Sequence, residues 1–142
     1  MIQLDWAGKM AFQATMPDGT GFRMDTNEES GGDSSGPSPV EALLASIAAC
    51  SAMDVVAILK KKRQEPTRYR IEIDHERIPP GEYPRPITSV TIRHILEGDN
   101  LEPGAIERAI ELSDTKYCSV MATLRHGPTV KSEFRIESPT AA

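Results

Sequence analysis

The chain has 142 residues, 39% of them hydrophobic and 26% charged, a size and balance that predict one soluble domain able to bury most of its unfolded apolar surface in a single core. A net charge of -5 argues against nucleic acid as the main partner. No uninterrupted apolar run reaches the roughly 20 residues of a bilayer span, and no basic stretch leads into an apolar one after Met1, so the sequence predicts neither membrane anchor nor signal peptide, and a cytoplasmic address.

Three short segments come first. Gln3 to Trp6, Ala11 to Thr15 and Gly21 to Asp25 show partial period-two alternation and are separated by turn signals at Gly8 and Pro17-Asp18-Gly19, which predicts an antiparallel meander. Residues Asn27 to Ser38 are rich in Gly, Ser, Asp and Glu and read as a flexible loop placed directly before a helix. Ser38 as N-cap, Pro39 at the first helical position and Glu41 three residues after the cap form a capping-box start.

The helix predicted from Pro39 to about Arg63 has an apolar centre in which only Ser46, Ser51 and Asp54 are polar between Ala42 and Leu59. A helix without a solvent face is expected to be buried all round, and its six alanines permit close approach of a neighbouring backbone, including that of a second subunit. The Lys60 to Arg63 run marks its basic C-terminal end, where cations suit the helix dipole. Arg68 to Arg77 and Ile87 to Leu96 alternate as two further strands, joined by a stiff segment, Pro79 to Pro86, with four prolines. Ile106, Ala109, Ile110 and Ser113 give a second amphipathic helix ending between Asp114 and Tyr117, and Thr129 to Glu137 reads as a last strand before a frayed tail at 138–142.

Two cysteines, 68 positions apart, are the candidate chemistry. Cys50 lies in the middle of the apolar helix, far from its N-terminal dipole, where burial raises a thiol pKa; its residues alone leave an inert core cysteine and a reactive one both open. Asp54 follows one turn later on the same face and disfavours a thiolate at Cys50 unless it is paired or turned away. Cys118 has Lys116 nearby, and a fresh helix start at Asp114 or Thr115 would add dipole support. Both cysteines must approach closely for a disulfide to form, which a sequence does not reveal.

Three stretches, Gly36-Pro-Ser-Pro-Val-Glu41, Ala48-Ala-Cys50-Ser-Ala-Met-Asp54 with its continuation to Lys61, and Lys116-Tyr-Cys-Ser-Val120, occur in an order and spacing that resemble the OsmC/Ohr family, most closely its less characterised OsmC-like branch. The resemblance covers the whole chain and implies an α+β OsmC-like fold over residues 1–142, with antiparallel strands wrapping long central helices in an intertwined homodimer. It also implies reduction of organic hydroperoxides. A Cys50 thiolate attacks the O–O bond and becomes a sulfenic acid, Cys118 condenses with it to a disulfide, and an external dithiol reopens the bond, with no cofactor or metal. By position Glu41 matches the family's motif glutamate, paired in the peroxidases with an arginine for which Arg23 is the one candidate before the helix. Nine positions separate Glu41 from Cys50, about 13.5 Å of rise and half a turn out of phase, so Glu41 serves the partner subunit's site or is only a cap. Arg23 lies in a strand-like context rather than a glycine-flanked turn, and Ser119 follows Cys118 where many peroxidases carry proline, departures that bear on substrate more than on fold.

His75, His94 and His126 are spread over two strands and a turn and form no metal pattern with the separated cysteines. The alternative to a peroxidase is a non-catalytic or redox-sensing protein of the same fold, holding a small hydrophobic ligand in a pocket around Ile47, Cys50 and Met53. Convergence of the two cysteines, with a guanidinium beside them, is what separates the two readings.

Overall fold

The structure, a computed structural model, describes residues 1–139. Strands β1 (Gln3–Trp6), β2 (Phe12–Thr15) and β3 (Gly21–Met24) pair antiparallel in the order β1-β2-β3, as the alternation and turn signals predict. The β2–β3 turn needs a left-handed residue and takes it at Gly19, with φ 87°. Asp18 secures that turn by accepting from the Thr20 amide at 3.0 Å.

The segment between β3 and the first helix is knit to one buried carboxylate. Asp25 accepts from the amides of Thr26, Asp33 and Ser35 at 2.8, 3.1 and 3.1 Å and from the Ser35 hydroxyl at 2.5 Å. A short 3-10 turn, Glu28–Ser30, is capped by the Asn27 side chain. Gly36 passes so near β3 that a Cβ there would stand 2.4 Å from the Arg23 carbonyl oxygen, so no larger residue fits.

Helix α1 runs Pro39–Lys61 and starts as its capping box predicts, the Ser38 Oγ accepting from the Glu41 amide at 3.2 Å. Its buried residues, Leu44, Ile47, Ser51, Val55 and Leu59, recur every three or four positions and define a single stripe. Burial all round is therefore not what the chain does. Leu43, Met53 and Val56 on the remaining surface are 39%, 71% and 51% exposed, because the one chain supplies packing partners on one side only. By length and composition α1 is also the one helix among the described residues able to cross a membrane, although its stripe is packed against protein.

Strands β4 (Arg68–Arg77) and β5 (Ile87–Glu97) form a separate antiparallel pair with a register shift at Glu76/Arg77. The core lies between this pair and two helices: Val55, Leu59 and Ala109 are fully enclosed, with Ile58, Tyr69, Leu96, Ile106 and Ile110 packed around them. Each large apolar side chain here contributes about 1.5–3 kcal/mol by leaving water. Tyr69 and His94, diagonal neighbours across these strands, share a 2.6 Å hydrogen bond at the edge of that core.

Helix α2 (Pro103–Leu112) passes into a π-helical turn, Ser113–Tyr117, breaks at Cys118 and resumes as α3 (Ser119–Arg125). The strand expected at Thr129–Glu137 does not form. The segment alternates correctly, but it pairs with neither sheet, and Val130, Phe134 and Ile136 are 83–90% exposed. Of the tail expected to fray, residues 140–142 lie outside the described residues.

Candidate functional site

Helix α1 and the break between the π-helical turn and α3 bring the two cysteines together. Cys50 Sγ, Cys118 Sγ and an Asp54 carboxylate oxygen all lie within 4.8 Å of one another, and both thiols are free. Cys50 is half-buried and open to a small reactant, whereas Cys118 is 4% exposed. Asp54 is neither turned away nor unpaired. It stands one helical turn beyond Cys50 on the same face and accepts from the Ser113 hydroxyl at 2.9 Å. Ser113 is itself fully buried, 3.4 Å from the equally buried Ser51 hydroxyl, and its carbonyl accepts from the Cys118 amide at 2.9 Å. One serine thus links the carboxylate to the backbone that positions the second sulfur.

The helix start expected at Asp114 or Thr115 falls at Ser119 instead. The π-helical turn adds a residue to the helical path, after which the chain at Cys118 turns extended, with φ -71° and ψ 103°. Cys118 is therefore the N-cap of α3, its sulfur accepting from the Met121 amide at 3.5 Å. That bond favours the thiolate, but burial outweighs it and, with the Cys50 sulfur adjoining, pushes the Cys118 thiol up. Lys116 gives no support to the thiol, because its ammonium lies over the Tyr117 ring, 5.3 Å from the centroid.

The other two predicted residues lie away from the sulfurs. Glu41 is outside the cluster, on the first turn of an unbroken α1, where its Oε1 accepts from the Ser38 hydroxyl at 3.0 Å. Arg23 is half-buried on β3 and donates through Nε to the Ser35 hydroxyl at 2.8 Å. Two arginines missed by the sequence share a hollow with Glu41. Arg77 and Arg85 line one polar hollow of about 440 Å³ with Glu41, Ser38 and Asn27. They lie at the two ends of the proline-rich connection, and only the folding of that loop over the start of α1 brings them there. The apolar pocket also differs from expectation. A groove of about 480 Å³ is lined by Ile47 together with Val40, Leu43, Ile87, Val90 and Leu124, and does not include Cys50 or Met53.

The histidines stay apart from the cysteines. Burial lowers the His94 pKa and raises that of its partner Tyr69 to about 12, the behaviour of a core hydrogen bond.

The protein-family model described as OsmC-like protein matches residues 31–133. The chain is 33% identical to Protein YhfA of Escherichia coli strain K12 over 134 residues, 94% of this chain and 96% of that one. Among solved structures it is similar to a hypothetical protein from Aquifex aeolicus VF5, with TM-score 0.75, 31% identity and 89% and 87% of the two chains covered. The fold is also that of an organic hydroperoxide resistance protein OsmC from Legionella pneumophila, at TM-score 0.64, 13% identity and 88% coverage of each chain.

Proposed function

The chain belongs to the OsmC-like family, and from that premise we propose that it is a dimeric, cytoplasmic, thiol-dependent reductase of organic hydroperoxides acting as a single domain. The observation that carries this reading is the meeting of Cys50 and Cys118, 68 residues apart in sequence and within 4.8 Å in space. Exposure supports the division of roles. Cys50 is the sulfur a reactant reaches, while Cys118, buried and held as a thiol, suits the resolving step.

In the first step the Cys50 thiolate attacks the distal region of the O–O bond, taking one oxygen as sulfenic acid while the other leaves as alkoxide and takes a proton to become an alcohol. In the second, the Cys118 sulfur displaces hydroxide from Cys50, and with the thiol proton it leaves as water. An external dithiol reduces the resulting disulfide and returns both thiols. No prosthetic group is needed, because sulfur carries both electrons. Glu41 on α1 is assigned to the partner subunit's site, since its place in the same chain is a full helical half-turn out of phase with Cys50. Arg23 is the sequence-matched cation for that site, and Arg77 and Arg85 share a hollow with Glu41.

The second reading, a small hydrophobic ligand in place of a peroxide, is favoured by one feature, the apolar groove along Val40, Leu43 and Ile47. The two separate on mass spectrometry of the fully reduced protein after one equivalent of an organic hydroperoxide, beside Cys50→Ser and Cys118→Ser. A rapid loss of two hydrogens, mapped to a Cys50–Cys118 disulfide and absent in both variants, is the expected outcome. No oxidation, or slow over-oxidation at one cysteine, would sink the peroxidase and leave the binding protein.

A further inference from the structure

The cysteine cluster has an electrostatic composition that peroxide chemistry does not use. It brings two thiols and a carboxylate into one half-buried site, and among the described residues Asp54 joins no ion pair. Three groups that can each carry negative charge stand together here. They form a good place to hold a cation that wants sulfur.

We propose that the reduced protein binds one zinc-class divalent metal ion per chain through Cys50 Sγ, Cys118 Sγ and the Asp54 carboxylate. The donor set is that of a borderline-soft ion with tetrahedral preference, two thiolates and one carboxylate leaving the fourth position to water. Two ligands come from one rigid element, since Cys50 and Asp54 are separated by four positions on α1 and share a face. The third comes from the N-cap of α3, where the chain is extended and the sulfur is free to turn. Tetrahedral bonds of about 2.3 Å to sulfur and 2.0 Å to oxygen set S···S near 3.8 Å and S···O near 3.5 Å. The present separations, all at most 4.8 Å, need a contraction of about 1.3 Å or less, within reach of a cysteine χ1 adjustment.

A second observation points the same way. Ser113, fully buried, donates to Asp54 Oδ2 and so restrains the carboxylate that adjoins the two sulfurs. Outer groups that orient a metal-binding carboxylate in this manner typically change affinity 10–100-fold when removed. On binding, each thiol gives its proton to solvent. The ion and a hydroperoxide then compete for the same sulfurs, and oxidation to the disulfide removes two of three ligands. The inference concerns the reduced chain alone and stands whether or not the protein proves to be a peroxidase.

The test uses reduced, chelator-stripped protein titrated anaerobically with Co²⁺ and then Zn²⁺. Expected are one Co²⁺ per chain, a thiolate-to-cobalt charge-transfer band with the intense visible bands of a tetrahedral site, and their loss as Zn²⁺ displaces the cobalt. Cys50→Ser and Cys118→Ser should each remove about half the charge-transfer intensity, and Asp54→Asn should weaken binding 10-fold or more while keeping it. Wild-type protein alkylated with N-ethylmaleimide, which needs no substitution, should bind none, and stoichiometric Zn²⁺ should slow alkylation of Cys50. Absence of a charge-transfer band in the reduced wild type, or unchanged affinity in Asp54→Asn, overturns the proposal.

Discussion

Asp25 shows how much one side chain organises. Four donors, three of them backbone amides, converge on a carboxylate that is 3% exposed, and they hold its pKa far below the ordinary carboxylate range. A folded pKa depressed below the unfolded value of about 3.9 means that the charged form stabilises the fold above that pH and that the stabilisation is lost as pH falls through the folded value. Asp25→Asn should therefore unfold at lower denaturant than wild type at pH 7, with the gap narrowing progressively below about pH 4. Denaturation midpoints of the two proteins at pH 7, 4 and 2.5 check this, and a constant gap would show that the carboxylate acts by shape rather than charge. The chemistry of the cysteines was legible because both stand in distinctive segments. Asp54 was legible in part, as a same-face neighbour of Cys50 that had to be paired, but not its partner. Ser113 falls on the spacing of the apolar face of α2, which was the available signal for a buried hydroxyl, yet no periodicity tells which carboxylate such a hydroxyl will meet.

At the scale of elements, the start of α1 is held by a reciprocal pair. The Ser38 Oγ accepts from the Glu41 amide and donates to the Glu41 carboxylate. Ser38→Ala removes both bonds and should cost about 1 kcal/mol, read as a lower denaturation midpoint at unchanged m-value. Glu41→Gln keeps an acceptor for the hydroxyl and should change stability by less than about 0.5 kcal/mol. If that variant also keeps full hydroperoxide turnover, Glu41 is a cap and nothing more; a fall in turnover at equal stability places it in the partner's site. The first three strands, both later strands and the start of α1 followed from alternation, proline and capping signals, which are local. What failed was non-local. The Thr129–Glu137 pattern is strand-like, but a strand exists only where an edge accepts it, and the all-apolar α1 was read as surrounded when its buried stripe is Leu44, Ile47, Ser51, Val55 and Leu59.

Those two misreadings meet at the scale of the whole molecule. The chain exposes 10994 Å², about half as much again as the roughly 7,200 Å² of a compact monomer of its mass. The excess, about 3,800 Å² for each chain, is more than the roughly 1,000–2,500 Å² per partner that obligate interfaces commonly bury, ample for an extensive one. It is distributed as an interface would be: Leu4, Trp6 and Phe22 on the first sheet, Met53 and Val56 on the outer side of α1, and Phe134 and Ile136 on the unpaired last segment are each 46–90% exposed. A second copy, as in the proposed dimer, would supply both the missing face for α1 and a sheet edge for residues 129–137, and the protein should then sediment at twice 15.5 kDa. Met53→Asp discriminates sharply. At a position 71% exposed in the single chain, an added carboxylate costs a monomer almost nothing, about 0.5 kcal/mol at most. Buried unpaired against a second α1, the same carboxylate desolvates a charge and should split the dimer or prevent its folding. Sedimentation equilibrium and thermal unfolding over a hundredfold range of concentration read the result: wild type should melt higher as concentration rises, and Met53→Asp should lose the doubled mass. A folded 15.5 kDa species with a concentration-independent melt, indifferent to Met53→Asp, would mean that the exposed apolar surface belongs to a different partner.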